Sequence, residues 1–107
     1  MVIVYVFIKF IISDGDIVIG KVTYHKQLVW DKDTEIISGG GWFTIDSDNK
    51  TITFYGESYD FGKAKLEDIQ KCVDEHRVFT NPLKCDTISE KFKLKYRTDN
   101  NEIIDLN

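Results

Sequence analysis

One histidine has company that could do chemistry. His25 follows Tyr24, precedes Lys26 and lies close to Lys21. A neutral imidazole, with an ordinary pKa near 6.5, accepts a proton from water around neutral pH. Two glycine-bounded stretches, Ser38-Gly39-Gly40-Gly41 and Gly56-Glu57-Ser58-Tyr59-Asp60-Phe61-Gly62, can bring backbone N–H groups and the Ser58 hydroxyl close to an anion. If His25 opens a short helix, the unpaired amides there favour an anion as well. A basic nitrogen beside an anion cradle makes His25 a candidate catalytic residue. A lone histidine is nonetheless weak evidence against a packed or surface residue, and three glycines can simply make a bend.

Other candidate chemistry is weaker. Asp46, Asp48 and Glu57 occupy the first, third and twelfth places of a calcium loop, but Lys50 and Thr51 stand where an oxygen ligand and a glycine belong. An ammonium inside a calcium cage repels the ion. Cys72 and Cys85 match no zinc spacing and read as free thiols of a reducing compartment. Neither a metal nor a cofactor is implied. The segment Lys91-Phe92-Lys93-Leu94-Lys95-Tyr96-Arg97 puts four cations on one face of a strand and three apolar groups on the other. Lysines that guard a sheet edge explain it, and contact with nucleic acid or an acidic partner is the sharper alternative. Readers of single strands place aromatics beside their cations, whereas Phe92 and Tyr96 fall on the opposite face.

These residues need elements to position them. Thirty of the 107 residues are Val, Ile or Thr, which favours strands over helices. The run 1–12 is apolar but for Lys9. It is shorter than the about 20 residues a membrane helix needs and lacks the basic start and cleavage site of a signal peptide. It reads as a buried strand. Ser13-Asp14-Gly15-Asp16 is a turn, and residues 17–19 continue extended. Residues 23–33 suggest a short helix capped by Thr23, and 35–37 is extended. Residues 42–45 and 51–55 flank a polar turn as a hairpin. Residues 63–77 carry Leu66, Ile69 and Val73 at helical spacing, with Asp74-Glu75-His76 as its solvated last turn. Asn81-Pro82 breaks any helix. In the polar tail 98–107, Ile103, Ile104 and Leu106 can dock on the core.

Length and composition bound the rest. One domain over residues 1–107 is expected. With 42% apolar and 30% charged residues the chain is not of disordered type. A net charge of −4 argues against a generic nucleic-acid binder.

Three ordered segments resemble the janus/ocnus family of protein histidine phosphatases. Tyr24-His25, with Leu28 and Asp31-Lys32 downstream, is similar to the family's Y-H-A-D-I segment. Gly39-Gly40-Gly41 opens a strand pair, and Tyr55-Gly56-x-Ser58-x-x-Phe61-Gly62 is similar to Y-G-x-S-x-x-[YF]-G. Tyr5-Val6-Phe7-Ile8 matches the family's first strand. The resemblance covers residues 2–73. It implies an α/β (α+β) fold, with one mixed sheet of about six strands and helices on both faces.

The implied activity is metal-independent hydrolysis of the P–N bond of protein phosphohistidine, with His25 as general base. The implied phosphate-binding positions are Lys26, Ser58 and Asp60, through backbone N–H groups, with Lys21 as a compensating cation. The implied partner is a phosphorylated protein, with no nucleic acid and no membrane, for a cytoplasmic monomer. Departures from the family pattern are Val4, Ile19 and Trp42 where it carries cations, and Lys26 and Asp60 where it carries small residues. These motivate an alternative, a noncatalytic module of the same fold that binds phosphate or phosphoprotein.

Overall fold

The computed structural model describes residues 8–22, 24–28, 37–80 and 91–107, and of Ile8, Lys21, Lys26 and Gln27 the backbone alone. Seven strands form one curled, mixed sheet: β1 Ile8–Ser13, β2 Asp16–Lys21, β3 Ile37–Asp46, β4 Thr51–Tyr55, β5 Val78–Thr80, β6 Lys93–Arg97 and β7 Ile103–Asp105. Their spatial order is β5-β2-β1-β3-β4-β6-β7, with the β2–β5 and β4–β6 pairs parallel and the rest antiparallel.

Local chemistry explains the connections. Asp14 and Gly15 both have positive φ, +50° and +77°, which a two-residue turn needs to match the twist of β1 and β2. The β3–β4 hairpin turns through residues 47–50. There the Asp46 carboxylate accepts bonds from the Asn49 N–H and Nδ2 groups, which hold its pKa below the ordinary value. The expected hairpin is found, and the calcium-like spacing of Asp46 and Asp48 falls in its turn, which closes on itself.

Among the described residues there is one α-helix, α1, Leu66–Asp74. It is shorter at both ends than the expected 63–77. Its C-terminus closes when His76 enters the left-handed region at φ +57°, with His76 N–H donating to Val73 O and Arg77 N–H to Cys72 O. Arg77 then pairs with Asp16 and binds the Asp14 carbonyl, fastening the helix end to the first hairpin.

The strand period of two assigns the faces. Phe10, Ile12, Ile17, Ile19, Phe43, Ile52, Phe54, Leu94 and Tyr96 point to one side. They form the main core with Ile69, Cys72 and Val73 of α1. Phe10 and Phe54 meet edge to face at 4.8 Å. Leu66, expected in the apolar stripe, is partly exposed instead.

Among the described residues helices on both faces are not found, and the strands number seven where about six were expected. On the second face, among the described residues, Ile11, Val18 and Leu28, with Val22 and Ile37 against them, make the one apolar cluster. A four-residue 3-10 turn, His25–Leu28, contributes Leu28 to that patch. Beyond it the same face presents Lys9, Trp42, Thr44, Thr53, Lys95 and Arg97, side chains that give a helix little apolar surface to bury. Of the helix expected over 23–33, the described residues 25–28 form this 3-10 turn; its Thr23 cap and residues 29–33 lie outside the described residues, as do residues 1–7, 34–36 and 81–90 with Asn81-Pro82 and Cys85. Among the described residues no helix is long and apolar enough to cross a membrane.

Candidate functional site

The triple glycine lies inside β3 and joins the two halves of the site. A Cβ on Gly39 would stand 2.8 Å from the Ala64 Cα, and one on Gly40 would stand 2.6 Å from the Phe10 carbonyl and 3.2 Å from the His25 ring. These glycines therefore make room for neighbouring protein, rather than presenting free backbone to a ligand or bending the chain. Gly40 holds the serine loop through the bonds Gly40 N–H to Gly62 O, 3.1 Å, and Ser58 N–H to Gly40 O, 3.1 Å. Gly41 holds the histidine: its carbonyl accepts the His25 Nε2–H at 2.8 Å. A carbonyl only accepts, so this bond puts the ring proton on Nε2 and leaves Nδ1 as the basic nitrogen.

His25 is 4% exposed and packs edge to face on Trp42 at 5.9 Å. Burial pushes its pKa below the ordinary 6.5. The nearby Lys9 acts in the same direction, while the Gly41 bond and the Asp60 carboxylate oppose it. His25, Lys9, Trp42, Tyr24, Glu57, Ser58, Tyr59, Asp60 and Gly62 line one open cleft of about 670 Å³.

Ser58 is 2% exposed, and its Oγ accepts the Phe61 N–H at 3.2 Å, which bends the loop. Its own backbone N–H already bonds Gly40 O and Gly62 O. The Ser58 amide is thus engaged within the protein, and the serine offers its hydroxyl hydrogen. The following two amides, of Tyr59 and Asp60, bond to no acceptor among the described residues and lie at the exposed tip of the loop.

The structure thus brings His25, Ser58 and Asp60 to one cleft. The side chains of Lys21 and Lys26 lie outside the described residues. Lys63 pairs with Asp99 at 2.6 Å and lines a second cleft with Leu66 and Tyr96. Lys93, Lys95 and Arg97 stand on β6, the second strand from β3.

Sequence reasoning missed Lys9. It is 6% exposed in β1, binds the Val22 carbonyl at 3.3 Å and lies 4.3 Å over the Trp42 ring. The available signal was a lysine interrupting an apolar strand, since a cation is rarely buried without a partner or a task. Burial lowers its pKa below 10.5. Tyr59, fully exposed, and Tyr24, 57% exposed, flank the cleft and were also unassigned.

The arrangement can bind a small anion against an ammonium, a hydroxyl and two amides, and can take a proton at His25 Nδ1. A family model described as the Janus/Ocnus family (Ocnus) matches residues 5–81. Searches of curated proteins and of solved structures return no significant match.

Proposed function

The chain belongs to the Janus/Ocnus family, and from that premise we propose that it hydrolyses the P–N bond of protein-bound phosphohistidine. The observation that carries the reading is the His25–Gly41 bond, which reserves Nδ1 as a proton acceptor beside the Ser58 loop. In the proposed reaction Nδ1 takes a proton from a water as that water attacks phosphorus. The P–N bond breaks, inorganic phosphate forms, and the proton passes to the leaving nitrogen. Lys9, the Ser58 hydroxyl and the Tyr59 and Asp60 amides hold the phosphoryl oxygens. Fixed donors of this kind need not reorganise as charge moves.

The test is His25→Ala assayed on a phosphohistidine peptide. Phosphate release falls by about 10²–10⁴-fold, the usual weight of a general base, while the thermal midpoint shows a folded protein. Retained turnover in a folded variant overturns the assignment.

A second reading has its own support. Glu57 and Asp60 bring two carboxylates to the cleft, and Val4, Ile19 and Trp42 replace cations expected from the family pattern. A noncatalytic module of the same fold that binds phosphoprotein accommodates both facts. It is distinguished by phosphopeptide binding without His25-dependent turnover at high protein concentration.

A further inference from the structure

The cations of β6 do not stand alone. Strand alternation puts Lys93, Lys95 and Arg97 on the face that carries Lys9 and Trp42, opposite the buried Leu94 and Tyr96. Register then builds rows across the sheet. Lys9 opposes Trp42, Trp42 opposes Tyr55, and the Arg97 guanidinium lies 4.3 Å over the Tyr55 ring. The next row is Thr44, Thr53 and Lys95, and the one after it is Asp46, Thr51 and Lys93. The first row starts in the cleft, because Trp42 and Lys9 line it.

We propose that this face docks an extended, acidic segment of the phosphorylated protein whose modified residue occupies the His25 cleft. The inference rests on the phosphatase reading and names the partner's chemistry. Charge complementarity carries it. The chain has a net charge of −4, yet this face gathers Lys9, Lys93, Lys95 and Arg97 against the carboxylates of Asp46 and of Asp105, the latter paired with Lys95. Spacing sharpens it. Cations two residues apart on a strand stand about 7 Å apart, as do alternate side chains of an extended peptide. Arg97 is two strands from Trp42, so about 10 Å, or three extended residues, separate it from the cleft. A segment that crosses β3 and β4 to Arg97 and then turns along β6 brings acidic residues three, five and seven positions from the phosphorylated residue to Arg97, Lys95 and Lys93. Nucleic acid fits less well. The Trp42 and Tyr55 rings each already carry a cation at 4.3 Å, where a stacking base would need the ring face.

The experiment compares phosphohistidine peptides with acidic residues at those positions, on the N-terminal or the C-terminal side, against neutral peptides and free phosphohistidine. The full chain should process one acidic peptide with KM at least tenfold lower than the neutral one and with similar kcat. Half-molar salt should erase the difference. Lys93→Glu, and Lys93→Glu with Arg97→Glu, should erase it too while leaving turnover of free phosphohistidine within twofold. Lys93 is exposed, so the single variant keeps the test valid if the double variant misfolds. Equal KM for all peptides, or unchanged KM in the folded variants, overturns the docking proposal while the phosphatase reading stands. If no substrate turns over, that reading fails separately. Anisotropy of a labelled, unphosphorylated acidic peptide then decides docking, with no salt-sensitive binding overturning it. Tighter binding of a single-stranded RNA than of the peptide also overturns it.

Discussion

Lys9 and Trp42 are register partners on β1 and β3, and the ammonium of the first lies 4.3 Å over the ring of the second. The family resemblance leads one to expect a cation where Trp42 stands. The neighbouring strand supplies one from the side, on the same face and beside the same histidine. The exchange is possible because opposed residues of an antiparallel pair point the same way.

Lys9→Met tests that role. It keeps the stem that packs on Trp42 and removes the charge. With phosphohistidine as substrate, kcat/KM should fall by roughly tenfold to a hundredfold, toward the weight of one lost charged donor. The acid limb of the pH profile should also move up, since Lys9 helps hold the His25 pKa down. Steady-state kinetics across pH 5–8 reads both effects, and an unmoved limb with full activity contradicts them.

The wild-type profile follows from the same imidazole. Burial lowers the His25 pKa below 6.5, so the proposed base is neutral at pH 7. Activity should decline only as pH falls beneath the ordinary histidine value. The linked stability has the same sign. The unfolded histidine takes up its proton first, so stability is fully present above about pH 6.5 and is lost as pH falls toward the folded pKa. The His25→Ala variant should lack this part of the slope in denaturant melts run from pH 7 down to pH 5.

Gly40→Ala should damage both halves of the site together. The added methyl would stand 2.6 Å from the Phe10 carbonyl, a backbone atom, and 3.2 Å from the His25 ring. Overpacking of this kind costs about 1–3 kcal/mol. A chemical melt should show that loss, and the His25 imidazole resonances should shift. A variant of native stability with unshifted resonances would refute the packing role of Gly40.

Cys72 should be inert in the native protein. Its thiol donates to the Gly15 carbonyl at 3.2 Å, and burial pushes its pKa up to about 11. Peptide mapping after alkylation at pH 8 should find Cys72 unmodified when folded and modified in denaturant. Rapid native labelling would contradict its buried placement.

Much of the fold was legible in residue order. Asp14-Gly15 announced a tight turn, the alternation in 51–55 and 93–97 announced strands, and Ile69 and Val73 announced the inward face of α1. His25, Gly39-Gly40-Gly41 and Ser58 could be singled out because their types and spacing are local properties of the chain. Three things were decided only in the folded state. One was the lack of an α-helix on the second face among the described residues, which depends on which polar side chains neighbouring strands bring together. Another was that Gly40 and Gly41 bind the serine loop and the histidine, which leaves Nδ1 as the unprotonated ring nitrogen. The last was the row of Lys9, Trp42, Tyr55 and Arg97. Its members lie far apart in the chain, and pairing register, which sets who opposes whom across strands, is a property of the sheet and not of any one segment.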